Sequence, residues 1–170
     1  MNNALPRPLR VYLSGGMEYA DDEGRDWRAQ LQEWLEQELH CEIFNPNRES
    51  ERFVRTHHPG LDFRALKAQD LPRYSAIASG LVDLDCREIA ERSDMVICLW
   101  DEAAMRGAGT KGELTMARFS GKPVYLVTSF PHRDIPGWVL GCTTRILAGF
   151  EELKEFLLHE YMRSAEKAPG

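Results

Sequence analysis

Three glycines and a carboxylate crowd one short stretch, Gly107-Ala108-Gly109-Thr110-Lys111-Gly112-Glu113. It follows a strand-like apolar run, Met95 to Trp100, and opens a helical stretch that ends before Gly121-Lys122-Pro123. Glycines let a backbone approach a ligand closely and take positive φ where a turn requires it. The first turn of a helix offers unpaired N–H groups and the positive end of the dipole. Glu113 falls in that first turn, where a phosphate site would not carry its own anion. The segment is therefore expected to hold a reactive or orienting carboxylate where a cofactor loop would hold a pyrophosphate. Gly107-x-Gly109-x-x-Gly112 also matches the dinucleotide fingerprint letter for letter, but its context argues against that reading. Asp101 to Arg106 separate the loop from its strand, the unit comes late in the chain, and the next strand ends in Thr128-Ser129 rather than an acid. A Walker loop fails because Gly112 follows Lys111. Thr110-x-x-Glu113 fits a capping box, a purely structural use of the same carboxylate.

Asp85 is the second candidate. Ala78, Val82, Asp85 and Ile89 recur at helical spacing, so this stripe is expected to face the sheet, with Asp83 and Glu88 freer to face solvent. An inward carboxylate is costly unless paired or hydrogen-bonded; the plain alternative is a position on the helix flank. Tyr12 lies in the first strand, just before Ser14-Gly15-Gly16, where a tyrosine is ordinarily core. Trp100 and Trp138 sit near expected strand ends and suit either base stacking or packing. His57-His58 reads as a solvated loop pair rather than a metal site, since no third ligand has suitable spacing. Glu18, Asp21, Asp22 and Glu23 read as a solvated acidic loop. No metal and no cofactor is expected.

These residues need elements to position them. Leu9 to Leu13 reads as a strand and Gly24 to Leu39 as an amphipathic helix carrying Trp27, Leu31, Trp34, Leu35 and Leu39. Cys41 to Phe44 is a second strand, stopped by Asn45-Pro46. The polar stretch from Asn47 to about Tyr74 resists assignment, apart from a helical piece at Leu61 to Ala68. Ser75 to Arg92 reads as a helix, Met95 to Trp100 as the third strand and Thr110 to Ser120 as a helix. Val124 to Thr128 is the fourth strand, Thr143 to Leu147 a weak fifth and Phe150 to Tyr161 the last helix. Alternation of this kind implies parallel βαβ units. The expected fold is α/β: a doubly wound, five-stranded, mainly parallel sheet of flavodoxin or Rossmann-like form, with helices on both faces. One domain is expected over 1–170, with an ordered core over 8–162 and a frayed tail at 163–170. Ligands of such folds bind at the carboxyl ends of the strands. That edge is expected to carry Ser14 to Met17, Asn45 to Arg48, Trp100 to Glu113 and Thr128 to His132.

At 170 residues, 43% hydrophobic and 28% charged, the composition is that of a soluble globular protein. No apolar run approaches the ~20 residues that span a bilayer, and Met1 to Pro8 has no apolar signal core. A cytoplasmic location, with no membrane partner, is the expectation. Cys41, Cys86, Cys98 and Cys142 are far apart and read as reduced thiols. A net charge of −6 argues against nucleic acid as partner. A small molecule is expected instead.

Val11-Tyr12-Leu13-Ser14-Gly15-Gly16, the Asp85 helix ending in Ser93-Asp94, and Gly109-x-x-Gly112-Glu113-Leu114-x-x-Ala117 before Gly121-Lys122-Pro123-Val124 resemble the nucleoside 2-deoxyribosyltransferase family. Its relatives include nucleoside 5′-monophosphate N-glycosidases. The resemblance covers roughly residues 9 to 128, and the interval from Asp85 to Asp94 is one residue longer than the family pattern. It implies a nucleoside or nucleotide substrate whose N-glycosidic bond is cleaved, the sugar passing to another base or to water. Glu113 would be the carboxylate nucleophile. Asp85 would orient the sugar or assist proton transfer to the leaving base, and Tyr12 would position Glu113. Ser14, Gly15, Gly16, Asn45, Gly107, Gly109 and Thr110 would line the substrate. Arg25, Arg28 or Arg106 would supply charge for a nucleotide phosphate. The resemblance also implies a homo-oligomer, for which Trp138-Val139-Leu140 offers an apolar contact. Gly109-Thr110-x-x-Glu113 fits, in addition, a phosphoribohydrolase of the kind that activates cytokinins. A non-catalytic nucleotide sensor on the same fold is the alternative of a different class.

Overall fold

The computed structural model describes residues 7–167. Residues 1–6 of the expected leaderless N-terminus and residues 168–170 of the expected tail lie outside the described residues. The elements run β1 (Arg10–Gly15), α1 (Arg25–Glu38), β2 (Glu42–Phe44), α2 (Pro46–His57), α3 (Phe63–Gln69) and α4 (Leu71–Arg87), which a π-helical turn (Glu88–Arg92) extends. Then follow β3 (Met95–Leu99), α5 (Glu102–Arg106), α6 (Gly109–Phe119), β4 (Val124–Val127), α7 (Gly137–Cys142), β5 (Arg145–Leu147) and α8 (Phe150–Lys167). All strand pairs are parallel and the order is β2-β1-β3-β4-β5. This is the doubly wound, flavodoxin-like arrangement, with its switch point between β1 and β3. Among the described residues no helix is long and apolar enough to cross a membrane.

Strand alternation sorts side chains between two cores. Val11, Leu13, Ile97 and Val127 join Leu31 and Leu35 of α1 and Leu153 and Leu157 of α8 on one face. Tyr12, Val96, Cys98 and Leu126 join Leu114 and Ala117 of α6 and Val139 of α7 on the other. Each fully buried aliphatic side chain contributes ~1.5–3 kcal/mol. Because Tyr12 and Ser14 share a parity, both belong to the α6 face, and Ser14 pairs in register with Cys98. That places the end of β1 opposite the start of α6.

The unassigned stretch is helical. Asn45 caps α2, accepting from Asn47 N–H, with Pro46 pre-set at the first helical position. Asp62 caps α3 by accepting from the N–H groups of Arg64 and Ala65, and Asp70 caps α4 by accepting from Arg73 N–H. α4 thus begins before the expected Ser75. α8 continues past the expected end at Tyr161, to Lys167.

Along α4 and the turn that extends it, Asp85 and Ile89 face inward as expected, and two positions depart from expectation. Val82 is 58% exposed, whereas Ile77 is buried and Leu84 packs on the core. Glu88, expected toward solvent, is buried and ion-paired with Arg10 of β1. The π-helical turn accounts for the burial of Glu88. Ser93 N–H bonds to Glu88 C=O at 2.9 Å, five residues back, so this turn holds one residue more than an α turn. It buries Glu88 and Ile89 side by side.

Candidate active site

β1 ends at the switch point with Ser14, whose Oγ donates to Glu113 Oε2 at 2.5 Å. This bond corrects the capping-box expectation. The N-cap of α6 is Ala108, no side chain caps the helix, and the Glu113 carboxylate turns across to β1 instead. The expected positive φ in the glycine segment is also absent. Gly107 has φ −72°, and the positive-φ glycines among the described residues are Gly15, Gly24, Gly60 and Gly121. Gly109 and Gly112 lie inside α6, and a Cβ at either would meet nothing within 4 Å. Their small size leaves the approach to the first turn of α6 open.

Asp85 comes from α4. Its Oδ1 is buried without a hydrogen-bond partner, as is the Tyr12 hydroxyl, which lies beside both carboxyl groups without a bond of ordinary geometry to either. Burial raises the Asp85 pKa to about 8, and the nearby charge of Glu113 adds to the effect. Burial also raises Glu113, opposed by the Ser14 hydrogen bond, the charge of Arg28 and the Tyr12 hydroxyl. Tyr12 itself is pushed well up by burial and by the two carboxylates, so it stays a phenol. Two carboxyl groups sharing a buried site resist ionising together, and Ser14 and Arg28 favour the charged form of Glu113 against its burial.

Arg28, on α1, is the residue that sequence reasoning misplaced. It is 0% exposed. Its guanidinium donates to the carbonyls of Leu13, Gly15, Glu23 and Gly24 and to Asn47 Oδ1, at 2.8–3.2 Å, and it stacks on Trp27. It holds no carboxylate directly. Burial lowers its pKa, and the charge of Glu113 is the largest effect opposing that. The signal was present: Arg28, Leu31, Gln32 and Leu35 form the buried face of α1, so a charged residue stands on an apolar stripe.

No family model and no curated protein matches the chain.

Glu113, Asp85, Tyr12 and Ser14 are brought together by the fold; the remaining candidates divide. Gly16 has a packing role, since a Cβ there would sit 2.6 Å from the Ala103 backbone of α5. Gly15 lies against Trp27, 2.8 Å from where its Cβ would stand. Asn45 is committed to the fold, capping α2 and donating to Gln32 Oε1. Thr110 is buried in the first turn of α6, and Gly107 N–H bonds to Ala103 C=O. Asp101 to Arg106, expected as an intervening loop, form α5, which Asp101 caps. Lys111 Nζ ties α6 to α5 through Met105 C=O at 2.6 Å.

Trp100 is 1% exposed and serves packing, not stacking. None of the three arginines expected to supply phosphate charge faces the carboxyl pair unengaged. Arg28 is saturated with carbonyls, Arg25 pairs with Glu23 and Glu51, and Arg106 lies 4.5 Å over the Tyr19 ring. The acidic loop is not idle either: Glu18 pairs with Lys67, and Glu23 with Arg25 and Arg64.

Proposed function

We propose that the protein cleaves the N-glycosidic bond of a nucleoside or nucleoside 5′-monophosphate, in the manner of the nucleoside 2-deoxyribosyltransferases its sequence resembles. The observation that carries this reading is the carboxyl pair at the switch point: Glu113, bonded by Ser14, beside Asp85, whose pKa burial raises to about 8. An ionised carboxylate and a carboxylic acid are the two groups a retaining glycosidic cleavage uses.

In the first step a Glu113 oxygen bonds to the anomeric carbon as the carbon–nitrogen bond breaks. The electron pair of that bond leaves on the base, and the Asp85 proton neutralises it. In the second step the Asp85 carboxylate takes a proton from water, or from an incoming base. The nucleophile so formed displaces Glu113 from the sugar, restoring both carboxyl groups. The Tyr12 phenol steadies the Glu113 carboxylate while it carries charge. No cofactor is needed. Cys86, Cys98 and Cys142 are free thiols, which suits a reducing compartment, so we place the reaction in the cytoplasm.

The test is incubation with a panel of nucleosides and their 5′-monophosphates, with free base read by chromatography. Wild-type protein is expected to release base and, quenched during turnover, to carry a sugar adduct on the peptide containing Glu113. Glu113→Gln is expected to fold with an unchanged melting temperature and release none. An active Glu113→Gln protein refutes the mechanism.

A further inference from the structure

Arg28 is fully buried, and among the described residues none of its hydrogen bonds goes to a carboxylate. A buried charge without a direct counter-charge is costly. The end of β2 supplies a reason for keeping it. Glu42 N–H donates to Leu9 C=O at 2.8 Å, and by strand alternation Leu13 and Gly15 direct their carbonyls to the same side of β1. The register that pairs Glu42 with Leu9 would pair position 46 with Leu13. Pro46 opens α2 there and has no N–H to give. Arg28 takes over: its Nε donates to Leu13 C=O at 3.0 Å and its Nη2 to Gly15 C=O at 2.8 Å.

Those two carbonyls flank Ser14, whose hydroxyl donates to Glu113. Nη1 reaches the carbonyls of Glu23 and Gly24 and the side chain of Asn47. One guanidinium thus ties the loop after β1 and the start of α2 to the strand end that carries Ser14. A Gln amide has its donors on one nitrogen and cannot present this fork. The groups coupled to Glu113 are Tyr12 and Ser14 from β1, Asp85 and Cys86 from α4, Cys98 from β3 and Arg28 from α1. Of these, Arg28 alone is a cation.

We propose that Arg28 is a positioning residue of the candidate site: it stands in for the β2 ladder beside Leu13 and Gly15, and so holds the Ser14 hydroxyl on Glu113 with a positive charge behind it. The use of that carboxylate as a nucleophile rests on the cleavage reading; the coupling of Arg28 to it does not. The effect of Arg28 on chemistry passes through Glu113. A nearby cation favours the ionised carboxylate, which is the form that attacks an anomeric carbon.

The experiment reads Glu113 and Arg28 by NMR, without substrate. In protein isotope-labelled at its glutamate carboxyl carbons, the Glu113 signal is assigned by its loss in Glu113→Gln and followed against pH. Folded Arg28→Gln is expected to move the Glu113 midpoint up by at least about one pH unit, and Ser14→Ala to move it up as well. With both substitutions the rise is expected to fall short of the sum, because Arg28 acts in part through Ser14. A reciprocal measurement needs no substitution at Arg28 and decides the matter if Arg28→Gln does not fold. The Arg28 Nε–H signal of wild-type protein is expected to shift with the Glu113 midpoint and to lose that step in Glu113→Gln. A Glu113 midpoint unchanged in folded Arg28→Gln overturns the proposal, as do fully additive shifts or an Arg28 signal indifferent to Glu113. Wild-type protein that shows the coupled titration yet releases no base refutes the cleavage reading and leaves the role of Arg28 standing.

Discussion

Replacing Asp85 by Asn should change the pH dependence of stability in a direction opposite to that of an ordinary surface carboxylate. Asp85 titrates near 8 in the folded protein, against 3.8 as its ordinary value. Between those values the folded chain keeps a proton that the unfolded chain has lost. The native state then binds more protons, and stability falls as pH rises. The group's contribution is complete below pH ~4 and is lost as pH climbs through ~8. The interval of about four units corresponds to a ceiling of about 6 kcal/mol at ~1.36 kcal/mol per unit. Relaxation of the surroundings and water entry reduce this, so we expect ~2–3 kcal/mol of decline between pH 5 and pH 9. Asn has the same shape and no charge to bury. Asp85→Asn should therefore show a flatter curve and exceed wild type in stability at pH 9, with a melting temperature higher by roughly 4–8 °C. Urea unfolding at pH 5, 7 and 9 with an unchanged m-value is the measurement. The same variant should lose ~10²–10⁴ in turnover through loss of the acid. Parallel stability curves for the two proteins would refute the placement of a protonated Asp85 beside Glu113.

Arg28→Met should destabilise by at least ~3 kcal/mol, because four buried carbonyls lose their donor; denaturant unfolding that places the loss below 1 kcal/mol would contradict the bracing role. Gly16→Ala should cost ~2 kcal/mol or more and disturb α5, since the new methyl meets the Ala103 backbone at 2.6 Å; a melting temperature equal to wild type would show that the turn has slack. Phe119 and Trp138 are 89% and 69% exposed, and the Trp138 indole donates to Thr115 Oγ1 of the same helix as Phe119. We expect this apolar patch to seat a second copy of the chain, so light scattering should give a homo-oligomer and Trp138→Glu should weaken it; a fully active monomer at micromolar concentration would count against it.

The sheet was legible because its strands are continuous apolar runs ended by glycine, proline or polar residues, and Val11 to Leu13 and Met95 to Cys98 are buried on both faces. Glu113 and Asp85 were legible as suspects because a carboxylate looked out of place in each setting. Their surroundings were not. The Ser14 hydroxyl and the Glu113 carboxylate are far apart in the chain, and only the parity of β1 and the entry of α6 bring them together. α3 was legible as the helical piece at Leu61 to Ala68, whereas α2 escaped assignment because its few apolar residues stand in a strongly polar run. Glu88 was misread as solvent-facing because periodicity assumes a constant 3.6 residues per turn, which Glu88–Arg92 do not keep.

That wide turn acts as a rotational offset between two parts of the molecule. β3 and Asp94 are fixed by the sheet, and Asp94 also accepts from Arg7 and from the backbone of Arg10. Everything before the turn on α4, Tyr74, Leu81 and Asp85 together, is aimed by how far the turn winds. Removing one residue from Glu88–Arg92 would restore a regular helix and swing that whole face by ~100° about its axis. Asp85, Leu81 and Tyr74 would leave together, while every strand kept its place. One residue of length in the turn that follows Asp85 is what keeps Asp85 and Glu113 on a common line of sight.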